Sequence, residues 1–343
     1  MGAMIGAIAS GGRSDFYDDD HDDPGSPPRP PATAKAEAAL PTELVEVVPG
    51  RRVAVHHRSG RPQSDVVVFV HGSMASMLQW SAQIEHFGSR GWTVVAYDYL
   101  GCGRSPKPEV WDEYATSALL DELKGVLAKY AGANPEDRGR GRRLVLVGHS
   151  AGTSLILRYA AEAASSSTVL PLAGTVLFAP TLTTSPLVAI FRLPLWLLRL
   201  LQPTLSGGFA ERALHATTRR GETDHARSVI ALANEVSGSN PMHVCKAYYR
   251  QWVTPSDALV SAAAQPPALL VCGDADLIAP LEEHARPLAA LLGARARDLV
   301  VVPDASHQVM QERPDECNAL LASFVASLEA PPPAGGAAEN KLW

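Results

Sequence analysis

The stretch RLVLVGHSAG, residues 143–152, decides the reading of this chain: a short run of leucine and valine breaks abruptly into Gly148, His149, Ser150, Ala151 and Gly152. A Gly-x-Ser-x-Gly pattern suits a sharp turn from strand to helix. Such a turn strains the backbone of the serine and leaves room only for hydrogen at the two flanking positions. A serine held there projects its hydroxyl above the edge of a sheet, and the N–H groups opening the next helix point at whatever it attacks. Ser150 therefore reads as a nucleophile. Taken alone, the same residues also suit a glycine-rich turn that binds phosphate or nothing.

Outward from this stretch, strand and helix patterns alternate. VVVFV (66–70) is a continuous apolar run of the kind expected for a strand covered on both faces. A helix over 76–90, a strand TVVAY (93–97), the loop DYLGCGRS (98–105) and a helix over 114–130 follow. After a polar loop over 131–142, the pattern predicts a strand over 144–147, a helix over 153–164 and a strand over 175–178. Upstream, LVEVV (44–48) and RRVAVHH (51–57) alternate across Pro49-Gly50, a hairpin signal. His56 and His57 would face opposite sides of that strand and could not share a metal. This rhythm predicts an α/β fold, a mostly parallel sheet flanked by helices, whose ligands bind beyond the carboxyl ends of the strands.

The rhythm changes between 179 and 267. LVAIFRLPLWLLRLL (187–201) is intensely apolar, yet too short and too interrupted by Arg192, Pro194 and Arg199 to span a bilayer. Its two arginines, seven apart, would share one helix face and leave a broad apolar face. That face either packs on the core or closes as a lid over an apolar pocket. Helical patterns over 209–237 and 241–252 complete the insertion. The βα rhythm resumes with ALLVCGDADLIAP (268–280), a helix over 281–292, DLVVVPDASH (298–307) and a last helix over 314–330. The expected plan is a core of 42–180 and 268–330, a helical cap of 181–267, and tails of 1–41 and 331–343.

Composition narrows the function. The chain has 343 residues, 46% of them hydrophobic, enough for one large α/β domain. A net charge of −6 without a basic cluster argues against nucleic acid as a partner. Much of that charge sits in DFYDDDHDD (15–23), followed by PGSPPRPP (24–31), a composition with too little apolar surface to offset the entropy of ordering. The N-terminus lacks the basic segment of a secretory signal. The four cysteines, Cys102, Cys245, Cys272 and Cys317, show no metal-ligand spacing, so the expectation is a reduced, cytoplasmic protein with no metal.

Acyl transfer through a serine needs a base to take the hydroxyl proton and a carboxylate to orient that base. Both residue types stand at strand ends here. His307 follows 299–302, Asp274 and Asp276 follow 269–271, and in a parallel sheet they would arrive on the same edge as Ser150. The residues alone leave Asp274 and Asp276 as alternatives for the acid.

HGSMASMLQW (71–80), DYLGCGRS (98–105), GHSAG (148–152), GDADLIAP (273–280) and DASH (304–307), in this order, resemble the α/β-hydrolase superfamily over about residues 43–330. FRLPLWLLRLLQPTLSGGFAERA in the cap, paired with SHQVMQERPDECNALL after the last strand, is most similar to the subgroup of α/β-hydrolase domain-containing protein 8. The resemblance implies Ser150 as nucleophile, His307 as base, and Asp276 as acid because DLIAP matches the family pattern in which the acid lies four residues before a proline. It also implies the backbone N–H groups of Ser73 and Ala151 as the oxyanion hole, and no cofactor. His71 is expected to be structural. Serine at position 150 argues against the epoxide hydrolase and haloalkane dehalogenase branches, which use aspartate there. Lysophospholipid acyltransferase-like members carry His-x-x-x-x-Asp from the catalytic histidine; here the last position is Glu312. The expected activity is hydrolysis of a carboxylic, lipid-like acyl ester, with acyltransfer or a weakly catalytic binding role as alternatives. Met74, Trp80, His149, Trp196 and Leu197 are the expected substrate contacts, and the cap is available for peripheral contact with a membrane.

Overall fold

The computed structural model describes residues 40–62, 64–131, 142–165, 172–263 and 266–328. The expected C-terminal tail, the N-terminal tail up to residue 39 and the greater part of the polar loop at 131–142 lie outside these residues.

A hairpin of β1 (Glu43–Val48) and β2 (Arg51–Arg58) opens the chain. Then come β3 (Val66–Val70), β4 (Thr93–Asp98), β5 (Leu144–His149), β6 (Gly174–Phe178), β7 (Ala268–Gly273) and β8 (Ala296–Val302). They form one sheet in the order β1-β2-β4-β3-β5-β6-β7-β8. Only β2 pairs antiparallel, with β1 and β4; the other neighbours are parallel. The alternation of side chains along a strand explains why the apolar runs are continuous. Val66, Val68 and Val70 pack on one side with Leu119, Leu123 and Leu155, while Val67 and Phe69 pack on the other with Ile84, Phe87 and Leu321. Helices Thr116–Tyr130 and Ala151–Ser165 cover the first face; Ser81–Ser89 and Pro314–Ala326 cover the second.

Two predicted helices divide where local chemistry dictates. The helix expected over 76–90 is a 3-10 turn, Met77–Trp80, followed by helix Ser81–Ser89, because the Ser76 side chain accepts from Leu78 N and starts a tight turn. The apolar segment 187–201 is not one helix but a 3-10 turn, Pro186–Arg192, and helix Leu195–Ala213. Pro194, extended and without an N–H, separates them, so Arg192 and Arg199 do not share a helix face. Cap helices Asp224–Ser239 and Met242–Gln251 follow before β7. No helix among the described residues is long and apolar enough to cross a membrane.

Candidate active site

Ser150 stands between β5 and helix Ala151–Ser165 with a left-handed backbone, φ 50°. A non-glycine residue held there carries conformational strain that its surroundings must over-determine. Ser150 N donates to Phe178 O at 2.9 Å, and Thr153 Oγ1 donates to Ser150 O at 2.6 Å. Gly152 has no alternative: a Cβ there would lie 2.6 Å from the carbonyl oxygens of both Val70 and His71. The same crowding applies at Gly72, where a Cβ would come within 2.7 Å of His149 Nδ1.

Parallel strands bring the other groups to the same edge. His307 Nε2 lies 3.0 Å from Ser150 Oγ, and His307 Nδ1 lies 2.8 Å from Asp276 Oδ2. Asp276 Oδ1 accepts from Ile278 N and Ala279 N, each at 2.8 Å. The carboxylate is thus fixed by its own turn, leaving one oxygen for the imidazole. Asp274 does something else: its Oδ1 accepts from Ala305 N at 3.2 Å and laces the two loops together. Ala275 N donates to Ala305 O at 3.0 Å, and Ser306 Oγ donates to Ala275 O at 3.0 Å. Asp276, His307 and Ser150 are almost wholly buried, so little water competes for these bonds.

Two further histidines are held neutral. His71 Nδ1 faces Gly72 O at 2.7 Å, so it carries the proton, and Nε2 accepts from Tyr99 N at 3.3 Å. Burial lowers its pKa to about 3. His149 Nε2 donates to His307 O at 2.8 Å. Burial, followed by the neighbouring His307, pushes His149 well below the usual histidine range.

The loop ahead of Met77–Trp80 supplies the opposite side of the site. Ala151 opens its helix, so its N–H is one of those that have no intrahelical partner. Ser73 shares the cavity over Ser150, and its hydroxyl is 3.1 Å from Tyr249 Oη. Met74 takes φ 52°, and its carbonyl accepts from Asn240 Nδ2 at 2.5 Å. Asp98, buried at the end of β4, accepts from Met77 N at 2.6 Å and Arg104 N at 2.9 Å, pinning this loop to 98–105. Glu312 accepts from His215 N at 2.6 Å and from Ser306 N at 2.7 Å. The cap is thereby tied at Asn240 to the Ser73–Met74 loop and at His215 to the His307 loop.

The cavity over Ser150 measures about 40 Å³, room for roughly three water-sized groups. Ser73, Met74, His149 and His307 line it, with Leu232, Ala233 and Val236 of helix Asp224–Ser239 as an apolar wall. Three of the expected substrate contacts lie elsewhere. Trp80 is wholly buried beneath the site, its ring 5.2 Å from that of Phe69 and edge-on to Phe178. Trp196 is 68% exposed, and Leu197 lines no part of the cavity, because helix Leu195–Ala213 turns Leu198 inward instead. Sequence reading missed Asn240, Tyr249 and the wall residues. No local signal marks Asn240, whose partner Met74 is 166 residues away.

Fold and elbow together define an α/β hydrolase: the model of the alpha/beta hydrolase family matches residues 67–320, and the chain belongs to that family. Within it, the chain is similar to protein ABHD8 of Mus musculus, 31% identical over 266 residues, 77% of this chain and 56% of that protein. The chain therefore spans little more than half the length of that relative. Epoxide hydrolase A of Mycobacterium tuberculosis is 27% identical over 334 residues, 84% of this chain and 98% of that protein. Among solved structures, a thermophilic esterase from Thermogutta terrifontis aligns with a TM-score of 0.67 at 21% identity, covering 83% of this chain and 98% of the esterase. At that identity the likeness speaks to the fold alone.

Proposed function

We propose that this chain is a serine hydrolase that cleaves a carboxylic ester with a lipid-like acyl group through an acyl-enzyme. The observation that carries the reading is the unbroken line of hydrogen bonds from Asp276 through His307 to Ser150, opening on a cavity. Ser150 Oγ attacks the carbonyl carbon as its proton passes to His307 Nε2, and Asp276 stabilises the imidazolium. The oxyanion sits between the N–H groups of Ser73 and Ala151, each worth about 3 kcal/mol in such sites. Collapse expels the alcohol, which takes the proton from Nε2. Water then attacks the acyl carbon, giving its proton to Nε2, and Ser150 departs with that proton as the acid is released.

The apolar wall of Leu232, Ala233 and Val236 supports an acyl group as the part of the ester that lies there. Trp196 and Leu200, four apart and both exposed, offer an apolar strip for peripheral membrane contact. Four free, buried cysteines suit a reducing, cytoplasmic setting. No observation favours acyltransfer, since both Glu312 oxygens are engaged by backbone N–H groups. Turnover of p-nitrophenyl butanoate tests the reading: Ser150→Ala should lower kcat/KM by at least about a thousandfold with an unchanged circular dichroism spectrum. Near-wild-type turnover in that variant would overturn it.

A further inference from the structure

We infer that the core side of the Ser150 cavity is a polar subsite for an uncharged hydrogen-bonding group, a hydroxyl or an amide N–H, carried by the substrate close to its ester bond. The inference rests on the ester-hydrolase reading and names the substrate class for it. Three side chains carry it: Gln79 at 6% exposure, His149 at 2% and Gln308 at 8%. All three line the cavity. Gln79 Oε1 and Nε2, His149 Nδ1 and Gln308 Oε1 are buried with no hydrogen-bond partner among the described residues.

Buried polar atoms are almost always paired, because leaving one unpaired forfeits its hydration. Four such atoms belong to side chains that line one cavity, and a turn of the Gln79 and Gln308 amides would present theirs to a partner that enters it. Their chemistry selects that partner. His149 Nε2 is spent on His307 O, so Nδ1 keeps its lone pair, which lies against Gly72. Gln79 and Gln308 each add an amide oxygen and an amide nitrogen, so acceptors and N–H donors are both present. A hydroxyl or an amide N–H matches the set. A carboxylate or phosphate, which only accepts, does not, and no lysine, arginine, aspartate or glutamate lines the cavity to neutralise a charged group.

Position supports the same conclusion. His149 precedes Ser150, Gln308 follows His307, and Gln79 lies in the turn after the Ser73–Met74 loop. Each is tied to an element that holds a reacting group, so a ligand on them lies beside the ester bond. The opposite wall, Ala213, Leu232, Ala233 and Val236, is apolar and suits the hydrocarbon part. The substrate class is a neutral ester bearing a hydroxyl or amide near the scissile bond, and esters with phosphate or quaternary ammonium groups at that place are disfavoured.

Ester pairs in which a hydroxyl replaces a methyl group test this on either side of the bond: 2-hydroxyethyl against propyl butanoate, and propyl 3-hydroxybutanoate against propyl 3-methylbutanoate. kcat/KM is measured on the wild-type chain and Kd on Ser150→Ala, where the esters stay intact. At least one pair should favour the hydroxyl by about tenfold or more in both measurements. Gln79→Leu and Gln308→Leu should each narrow that ratio toward parity. Removing an unpartnered polar group should leave Tm unchanged or raised. Parity or a preference for the methyl ester in both pairs, a ratio that survives both substitutions, or tighter binding of a 2-phosphoethyl ester would overturn the inference. If no ester is turned over but the hydroxyl preference persists in Kd, the subsite stands and the hydrolase reading falls.

Discussion

At the scale of single residues, His71 shows how a side chain outside the chemistry sets the response of the protein to acid. Its neutral ring meets Gly72 O and Tyr99 N, and burial holds its pKa near about 3. Below the ordinary value of 6.5 the unfolded chain takes up a proton that the folded chain refuses until about 3, so stability is lost as pH falls through this window. Between pH 7 and pH 5 the loss from this residue is about 2 kcal/mol. Glu122, raised by burial to about 7 despite Arg51 beside it, acts oppositely and loses stability as pH rises from 4.5. Urea denaturation at pH 7 and pH 5 separates the two. The wild-type chain should lose about 2 kcal/mol more than His71→Asn, since Glu122 is common to both. Parallel losses would mean that His71 takes up its proton in the folded protein as readily as in the unfolded chain.

At the scale of elements, the cap helix Leu195–Ala213 packs through a different residue from those its sequence advertises. Leu198 is wholly buried, whereas Trp196 and Leu200 are 68% and 71% exposed. Replacing Trp196 and Leu197 with serine should therefore move Tm by only a degree or two and leave ester turnover nearly unchanged. Leu198→Ala should cost about 2–5 kcal/mol. The apolar lining of the cavity comes instead from helix Asp224–Ser239, through Leu232 and Val236. Replacing both with serine should depress kcat/KM for octanoyl esters by about tenfold or more relative to acetyl esters, at about 0.8 kcal/mol per methylene. A chain-length profile measured with Tm distinguishes these outcomes. Equal loss at every length would remove the wall from the acyl site.

For the molecule as a whole, what was legible in the sequence is what local pattern dictates. β5 ends in the glycine-flanked turn because only that turn needs those glycines, and parallel β7 and β8 carry Asp276 and His307 to the same edge. Strand ends alone left Asp274 and Asp276 as alternatives; the family pattern before Pro280 pointed to Asp276, and packing shows Asp274 as the loop staple and Asp276 beside His307. The long apolar run of the cap concealed a break at Pro194, because hydropathy continues through a residue that ends a helix. The bond from Asn240 to Met74 O, and the orphaned atoms of Gln79 and Gln308, arise from approaches between distant segments that no periodicity records. Leu40, expected in the tail, is 5% exposed, and Pro41 O accepts from the His56 ring at 2.8 Å. In the proposed reaction His307 and Asp276 make Ser150 Oγ nucleophilic. Intact-mass and peptide-mapping analysis after exposure to a fluorophosphonate tests it most directly. One stoichiometric adduct on Ser150 is expected, absent in Ser150→Ala and formed at least about a hundredfold more slowly in His307→Ala. An unlabelled Ser150 in folded protein, or labelling at the same rate without His307, would contradict it.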